Sequence, residues 1–577
     1  MSIKYRYREH ISGTPSRPKQ KIYYTGYNKG SRFPIWLQLR RMRRNCYSGG
    51  RWTPLKRILT VLGALMFLIW GVKYLHQAIF TLSMSSRPLQ MAIVEPVNTL
   101  EPALLENHSG QLIASAIYEG LFSYNDQEYD LKPVLAKSWE YADEGKTINI
   151  QLTKGIKFSN GQDLTAAAVK ASWEKNLAQN KEWANTSMFL PIVGVSERIK
   201  GKNQDIAGIQ AIDEHSLKIQ LTQANAAFIY SLTSPVFWIT SPVGDKASCG
   251  TGPFILKESQ GETLTLLRNE AYHQGKPNLT AISVMRYKDE NEALAAYKAG
   301  KADYLDALPL QEIAAIEADS HYKELFISKP VMEVYWLGFN LTREPYARNY
   351  LLRRALNYAI DRESIIKNIL GGGFIPAKGV IPMGSKAFNP QMRGYTYDPD
   401  KARELLSEAG YPDGTGLRPL TLTYNQDPGH SLIVQEIARQ LSLLGIAVQV
   451  QNHDWNYYTK QLSNRQISFF RLGWQADYPD ADNFLYTLFH SSSAGGSNLT
   501  AYRNPEVDKN LDASRAEYNN EEERQKLLKR AEEIIVDDAP CLWLFQKKTT
   551  ILTSPDVRDL RIDSMGMINW SELALSS

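Results

Sequence analysis

The feature that most constrains this chain is a run of apolar, Gly and Thr residues at positions 58–72. The run contains no charged residue, and the apolar pattern continues past Lys73 to about Leu82. A helix needs about 20 residues to cross the hydrocarbon core of a bilayer, and a lysine near its end can extend its amine to the interface. The pattern predicts an uncleaved transmembrane signal anchor over residues 58–82.

A basic tail precedes this run. Residues 1–57 carry 15 Lys and Arg and one acid, Glu9, so the tail holds about +14 of charge and the rest of the chain about −9. Positive charge beside a span favours the cytoplasmic side, so we expect a cytoplasmic tail and a folded part outside the membrane. The alternatives are a cleaved signal peptide, for which no A-x-A pattern follows, and a nucleic-acid- or lipid-binding arm. The excess charge gives no indication of nucleic-acid binding by the folded part.

Beyond Arg87 the apolar pattern alternates between strand and helix periods. It predicts strands at Leu89–Val94, Leu420–Tyr424 and Ile446–Val450, and a helix at His430–Leu444 between the last two. Strand, helix and strand of these lengths favour a right-handed βαβ unit with parallel strands. The chain is long enough for more than one α/β domain.

Local signals set several further boundaries. Alternation on both sides of an Asp-Glu-His turn predicts a hairpin over Ile206–Leu221. Asp398, Pro399 and Gly410 are placed as N-cap, first residue and stop of one helix, and Pro345 could begin another.

Three cysteines, Cys46, Cys249 and Cys541, are too few for a disulfide framework. Cys249 and Cys541 lie on the same side of the membrane in the predicted topology and could pair, which the sequence leaves open.

The stretch with the most chemistry is Arg471–Phe484, which follows an apolar, strand-like run. A carboxylate behind a Trp on a Gly- and Pro-containing loop suits capture of a cation, because the indole excludes water and strengthens the charge contact. The alternative is a turn whose aspartates cap the next helix. The spacing of Asp477, Asp480 and Asp482 does not fit a calcium-binding loop.

Several stretches together resemble one family. The motifs are GWQADY at 473–478, NTLEPA at 98–103, IYEGL at 117–121, PVLAKSWE at 133–140, GTGPFIL at 250–256 and the run from Tyr397 to Gly414. They resemble the family 5 extracytoplasmic solute-binding proteins, the oligopeptide- and dipeptide-binding type of ABC importer. The resemblance runs from about Pro88 to Leu573. Glu270 and His273 depart from it, since Pro and Trp are common at those positions.

The resemblance implies an α/β, two-lobed, periplasmic-binding-protein-like (class II) fold with an extra subdomain in the first lobe, here preceded by the N-terminal transmembrane helix. The expected division gives residues 88–121, 206–333 and 546–577 to the first lobe. Residues 122–205 form the extra subdomain, and residues 334–545 form the second lobe. The lobes would close on a ligand by a hinge motion.

The resemblance also implies a ligand-binding set. Asp477 would hold the α-amino group of a bound peptide, Arg471 would support the loop, and Trp455 and Trp474 would line side-chain pockets. Arg471 could instead pair with Asp477 or lie exposed, and the tryptophans could be core residues. The remaining members are Tyr478, Asn340 and His430, the last of which could simply begin a helix.

The implied function is that of a membrane-tethered substrate-binding subunit of an ABC importer. It would capture extended peptides on the outer face of the bacterial cytoplasmic membrane and deliver them to permease and ATPase subunits. We expect no enzyme, cofactor, metal or nucleic-acid partner, since no complete G-x-S-x-G, H-E-x-x-H or Walker A pattern occurs. Other ligands (a nickel chelate, haem or an oligosaccharide) and a tethered peptide sensor without transport remain alternatives.

Overall fold

The computed structural model describes residues 87–105, 107–179, 187–242 and 249–576. Within those ranges, no helix is both long enough and apolar enough to cross a membrane. The predicted tail at 1–57 and the predicted anchor at 58–82 lie outside the described residues. Cys249 and Cys541 are both free, so the disulfide left open by the sequence is not formed.

Strands and helices alternate along the described chain. The strands are β1 (Leu89–Ile93), β2 (Phe122–Asn125), β3 (Asp130–Pro133), β4 (Ala136–Ala142), β5 (Thr147–Leu152), β6 (Ile209–Ala211), β7 (Ser216–Gln220), β8 (Phe254–Gln260), β9 (Thr263–Arg268), β10 (Ala281–Arg286), β11 (Tyr304–Leu305), β12 (Phe326–Phe339), β13 (Phe374–Pro376), β14 (Leu420–Asn425), β15 (Val448–His453), β16 (Phe469–Gln475), β17 (Cys541–Thr553), β18 (Val557–Arg558) and β19 (Ala574–Leu575).

The α-helices are α1 (His108–Ala114), α2 (Ala166–Gln179), α3 (Val195–Ile199), α4 (Phe228–Ser231), α5 (Glu290–Lys298), α6 (Leu310–Ala318), α7 (Tyr350–Tyr358), α8 (Arg362–Asn368), α9 (Pro399–Glu408), α10 (Pro428–Ser442), α11 (Trp455–Ser463), α12 (Asp482–Phe489), α13 (Pro505–Ala516) and α14 (Glu521–Asp538). Short 3-10 turns lie at Pro102–Leu104, Asp143–Gly145, Pro235–Phe237, Pro412–Gly414 and Ser491–Ser493.

One mixed sheet runs through both lobes. Its strand order is β15-β14-β16-β12-β17-β11-β1-β10-β9-β8, with β13 paired to β17 off this path. Strands β14 and β15 are parallel and α10 lies between them in the chain, which confirms the predicted βαβ unit. Strands β1 and β8–β11 belong to the first lobe, and β14–β16 to the second.

The lobes are joined by the long antiparallel strands β12 and β17, which together form the connecting ribbon. Their pairing extends from Phe326 opposite Leu552 in the first lobe to Gly338 opposite Cys541 in the second. The register shifts between Pro330 and Val334. Because such an irregularity interrupts the ladder and bends the strand, it marks a position at which the ribbon can flex.

A four-stranded antiparallel sheet, β4-β5-β7-β6, builds the extra subdomain. The sequence predicts its hairpin, Ile206–Leu221, as part of the first lobe. The hairpin forms, but β7 pairs with β5, so that Ile148 lies opposite Ile219 and both side chains are buried in the core of the subdomain. The inward side chains of β7 therefore complete the core of this four-stranded sheet.

Helix ends follow the predicted local chemistry in some places and not in others. The side chain of Asp398 accepts a hydrogen bond from the Lys401 amide, Pro399 begins α9, and Gly410 follows the helix with φ +90°. Pro345 does not begin a helix. Its peptide bond is cis, and α7 starts at Tyr350.

The second lobe packs against the extra subdomain through buried groups. Tyr478 enters the apolar core of the subdomain. Arg524 of α14 is 1% exposed, lies 2.6 Å from the carboxylate of Asp480, and has its guanidinium 5.6 Å from the ring centre of Tyr230 in the subdomain. This ion pair therefore lies within the contact between the two parts.

Polar contacts at the rim accompany this packing. The Tyr124 hydroxyl donates to the Gly384 carbonyl at 2.6 Å, and the Lys386 amine lies 2.8 Å from the Asp130 carboxylate. Both contacts join the extra subdomain to the loop that follows β13.

The buried ion pair can be compared with an exposed pair on the same helix. We expect Arg524→Leu to lower the free energy of unfolding by about 3–5 kcal/mol, because it leaves the Asp480 carboxylate buried without its partner. Arg530 pairs with Glu506 at 3.1 Å with both side chains more than half exposed. Arg530→Leu should therefore cost about 1 kcal/mol or less. Urea unfolding of the two variants measures the difference, and equal losses would contradict a special role for Arg524.

Candidate functional site

Strands β1 and β11 of the first lobe and β14 and β16 of the second direct their carboxyl ends toward the opposite lobe. Strands β1 and β11 are parallel to each other, β11 is antiparallel to β17, and β16 is antiparallel to β12. Since the ribbon passes through both lobes, β1 and β11 run toward the second lobe, while β14 and β16 run toward the first. Ligands of open α/β sheets bind outside the carboxyl ends of strands. The candidate site is therefore the cleft between these strand ends.

The stretch from Arg471 to Phe484 begins in a strand and continues in a loop. The sequence predicts that the strand ends near Phe470, but β16 continues to Gln475. Arg471 lies opposite Leu337 and Trp474 opposite Val334, so the two side chains, three residues apart, leave opposite faces of the sheet. Arg471 and Asp477 form no ion pair within the described residues, because Arg471 is directed to the other face.

Asp477 is the loop carboxylate without a cationic partner in the described part of the chain. Its Oδ2 accepts a hydrogen bond from Nδ2 of Asn483 at 3.0 Å, and its backbone amide donates to Oδ1 of the same residue at 3.0 Å. Burial raises the pKa of Asp477 to about 6, against the opposing effect of the Asn483 hydrogen bond. The carboxylate is thus partly desolvated and could accept contact with a positively charged group.

The other two loop aspartates are already neutralised. Asp482 lies 2.8 Å from both Nε and Nη2 of Arg515, and Asp480 lies 2.6 Å from Nη2 of Arg524. Asp480 also accepts the Asp482 amide at 2.8 Å, as the turn interpretation predicts for a residue at the start of a helix. Two of the three aspartates therefore hold the loop in place, whereas Asp477 has no such partner in the described residues.

Asn483 is a site residue that sequence reasoning missed. It is 1% exposed, and its Oδ1 accepts the indole N–H of Trp474 at 2.8 Å in addition to the amide of Asp477. Its only sequence signal is an Asn six residues after Asp477, early in a helix. Spacing alone does not show that its side chain turns back onto the loop.

A second polar group lies on the opposite face of β16. The Arg471 guanidinium lies 4.4 Å from the ring centre of Tyr335, and its Nη1 donates to Asn425 at 3.2 Å. Its Nε is buried without a hydrogen-bond partner, and no carboxylate of the described residues lies within 4.0 Å of the guanidinium. This cation is incompletely neutralised, which suits it to an anionic group.

His430 lies beside this guanidinium. Its Nδ1 is 3.5 Å from the Tyr335 hydroxyl and 3.5 Å from Asp427. Burial, and then the positive charge of Arg471, lower the pKa of His430 to about 4, so the imidazole is neutral near pH 7. Its backbone amide is capped by Asp427 at 2.8 Å. The residue begins a helix, as one interpretation predicts, and also faces the Arg471 group.

Acids mark the strand ends of the first lobe. Burial, followed by the negative charge of Glu95, raises the pKa of Asp306 to about 7, and Oδ2 of Asp306 is buried without a hydrogen-bond partner. Lys547 of the ribbon is paired with Glu333 at 3.0 Å. Glu95 and Asp306 therefore place acids just after the carboxyl ends of β1 and β11 in the first lobe.

The remaining predicted residues lie in three different environments. Trp455 begins α11 and is 55% exposed, which leaves its ring available for contact. Asn340 is 1% exposed at the far end of β12, where its amide donates to the carbonyls of Arg465 and Ile467. Tyr478 is buried, and its hydroxyl donates to Asp482 at 2.8 Å. The structure brings together Trp474 with Asp477 and, separately, Arg471 with His430, but does not bring Asn340 to either pair.

No group of three or more His, Cys, Asp and Glu side chains that could hold a metal ion occurs in the described ranges.

Known proteins share this architecture. Residues 130–496 match the model of the bacterial extracellular solute-binding proteins, family 5 Middle. The glutathione-binding protein GsiB of Escherichia coli is 32% identical over 483 residues, which cover 80% of this chain and 90% of GsiB.

Solved structures agree on the fold. The murein tripeptide binding protein MppA of Escherichia coli has a TM-score of 0.70 at 24% identity and covers 86% of this chain and 100% of its own. The oligopeptide-binding protein OppAIV of Borrelia burgdorferi has a TM-score of 0.68 at 25% identity, with 84% and 99% covered. These likenesses confirm the two-lobed, mixed α/β class II fold.

The buried position of Tyr478 generates a test of its predicted place in the ligand site. Tyr478→Phe removes one donor to the buried Asp482 carboxylate and should lower the free energy of unfolding by about 1–3 kcal/mol. Ligand affinity should stay unchanged, since the hydroxyl is already bonded inside the protein. Tyr457→Phe, at a side chain that is 48% exposed, is the matched control and should change neither quantity. Loss of affinity without loss of stability would return Tyr478 to the ligand site.

Proposed function

Because this chain belongs to the family 5 bacterial extracellular solute-binding proteins of ABC importers, which are not enzymes, we propose that it captures short peptides with a free α-amino group in the cleft between its lobes. By their names, its relatives bind glutathione, murein tripeptide and oligopeptides. The observation that carries the proposal is Asp477, a partly buried carboxylate without a cationic partner in the described residues.

The ammonium group of the peptide would pair with Asp477. Burial makes ionisation of this carboxyl less favourable in the empty site, and an opposite charge within about 4–6 Å favours the ionised form. The half-buried indole of Trp474 lies beside it and limits the access of water. The pair would therefore form in a medium of low dielectric constant, in which a charge contact is strengthened.

The peptide main chain would add to the free edge of β16. Strand β14 pairs with β16 only at Phe469 and Phe470, whereas β12 pairs with it as far as Gln475. The edge of Leu472–Gln475 away from β12 therefore has no strand partner among the described residues. An extended peptide there would gain main-chain hydrogen bonds that do not depend on its side chains.

The two polar groups would recognise opposite ends of a short peptide. A chain that runs antiparallel to β16 from Asp477 passes toward Arg471, whose guanidinium lacks a carboxylate partner in the described ranges. A peptide carboxylate would supply that partner, beside the neutral imidazole of His430. Trp455, which is exposed, would line a side-chain pocket.

Closure would complete the site. The lobes are joined by the two-stranded ribbon with its irregularity between Pro330 and Val334, and ligand-dependent bending of such a connection is a hinge motion. The contacts of Tyr124 with Gly384 and of Lys386 with Asp130 would hold the extra subdomain against the second lobe. The closed, loaded form would then deliver the peptide to permease and ATPase subunits.

We also propose that the binding domain is tethered to the outer face of the bacterial cytoplasmic membrane. The support is the sequence alone, namely the apolar run at 58–72 and the charge of about +14 that precedes it. A tether would keep the domain near its permease.

The tether is tested by fusions of an export-dependent reporter. A reporter joined after Ser86 should be active, because residues beyond the span are expected outside the membrane. A fusion after Arg57 is the matched control and should be inactive. Activity at Arg57, or inactivity at Ser86 in an intact fusion, would contradict the topology.

The peptide site is tested by pairing one substitution with one ligand modification. We expect Asp477→Asn to weaken binding of trialanine and of glutathione by two to three powers of ten, since a buried charge that loses its partner costs about 3–5 kcal/mol. N-acetylated forms of both peptides should bind the wild type poorly, and the substitution should matter far less for them. Calorimetry on the four combinations measures the coupling as a double-mutant cycle.

The cycle has one control variant and one outcome that would reject the assignment. Asp398→Asn keeps a helix cap far along the chain and should leave affinity unchanged. Additive effects of acetylation and Asp477→Asn would show that the two groups do not interact and would reject the assignment.

A further inference from the structure

We propose that Asn483 is the positioning residue of this site: it holds Asp477 so that Oδ2 is occupied and Oδ1 is presented to the ligand's ammonium group. The inference rests on the proposed function and deepens it, because it assigns a role to a residue that does not itself touch the peptide. The side chain of Asn483 is joined to the loop by three hydrogen bonds.

The orientation of the Asn483 amide follows from its partners. The indole N–H of Trp474, at 2.8 Å, and the backbone N–H of Asp477, at 3.0 Å, can only donate. The atom between them must therefore be the amide oxygen. The atom 3.0 Å from Oδ2 of Asp477 is then the NH2 group, which can only donate. Oδ2 must accept, so any proton on the carboxyl is directed to Oδ1, where the ligand would displace it.

The position of Asn483 is fixed independently of any ligand. Its backbone amide donates to the carbonyl of Asp480 at 3.1 Å, and the preceding residue, Asp482, is bound by Arg515 through two contacts of 2.8 Å. Because the residue is 1% exposed at the start of α12, water has little access to its amide. The three hydrogen bonds therefore act on a side chain that has one available orientation.

The charged residues near Asp477 are paired with other groups, so the side-chain hydrogen bond from Asn483 is the main polar contact of the Asp477 carboxyl. On the same loop, Asp480 is neutralised by Arg524 and Asp482 by Arg515. The Arg471 group lies on the opposite face of β16, and no Lys, Arg or His of the described elements forms an ion pair with Asp477. Burial raises the pKa of Asp477 and the Asn483 hydrogen bond lowers it.

Removal of the amide donor should therefore alter when Asp477 is charged. Asn483→Asp keeps the size of the side chain and the two acceptor contacts, but it places an oxygen against Oδ2. The two carboxyls would then share a proton or repel each other, and a like charge raises the pKa of its neighbour. Asn483→Ala removes the donor without adding charge and should act in the same direction, though less strongly.

The experiment measures affinity for trialanine by calorimetry from pH 5 to 7.5, below the pKa of the peptide amine of about 8. In the wild type, affinity should fall as pH decreases through about 6, because Asp477 must be ionised to pair with ammonium. In Asn483→Asp the fall should begin about one pH unit higher, which gives a loss of affinity that is roughly tenfold at pH 5 and shrinks to about twofold at pH 7.

Two controls separate positioning from folding. Asp398→Asn, at a helix cap outside the site, should leave the midpoint of the pH profile unchanged. On an Asp477→Asn background, Asn483→Asp should cost little further affinity. If Asn483→Asp does not fold, Asn483→Ala provides the same pH measurement.

The outcomes distinguish the two proposals. A loss of affinity that is independent of pH and that accompanies reduced stability would show that Asn483 serves the fold alone, and would overturn the positioning role. An unchanged pH profile in both Asn483 variants would also overturn it, while the wild type still discriminates against N-acetyltrialanine. If the wild type binds trialanine and N-acetyltrialanine equally well, the proposed amine site is wrong, and the positioning role of Asn483, which depends on it, is wrong as well.

Discussion

The site depends on two buried ion pairs between one loop and two helices. Asp480 is bound by Arg524 of α14, and Asp482 by Arg515 of α13. Desolvation of such charges is expensive, and it is offset only when the geometry is good and the remaining polar atoms are bonded. The Arg515–Asp482 contact is doubled, and Asp482 also accepts the Tyr478 hydroxyl. The loop is therefore held in one conformation, and the same contacts place Tyr478 in the core of the extra subdomain.

Environment assigns different roles to three aspartates within six residues. Asp480 and Asp482 have arginine partners and serve the structure, whereas Asp477 has the amide of Asn483 and a raised pKa. No property of the residue type separates them. The difference comes from α13 and α14, which follow the loop in sequence and direct their arginines at two of the three carboxylates. A single loop can thus carry both its own support and an acceptor for a ligand.

The sequence predicts helix ends and the pairing of strands joined by a single helix. It does not predict which sheet a distant hairpin joins. The cap at Asp398 and the stop at Gly410 depend on neighbours within a few residues, and the βαβ unit joins two strands through the single helix between them; all three are confirmed. The hairpin at 206–221 also forms, but its own pattern cannot show which sheet it joins, because the partner strand β5 lies over 50 residues earlier. The family resemblance supplied Asp477 and Trp474. It did not supply Asn483, since the hydrogen bonds of that amide appear only once α12 is placed behind the loop. The sequence predicts Gly473 and Trp474 as loop residues, but they pair with β12 and belong to strand β16.

A carboxyl with a pKa near 6 suits a site that must exist both empty and loaded. A fully ionised carboxylate buried without a partner would destabilise the empty form, and a carboxyl with a much higher pKa would remain neutral and attract ammonium weakly. Burial raises the pKa of Asp477 toward the neutral extreme, and the Asn483 hydrogen bond lowers it again. Near neutral pH the carboxyl is mostly ionised, and the free-energy cost of ionising it is small. A ligand cation would stabilise the charge further. Under the proposed assignment, the amide of Asn483 would adjust how much of the ion-pair energy remains for binding, and would link the support of the loop to affinity.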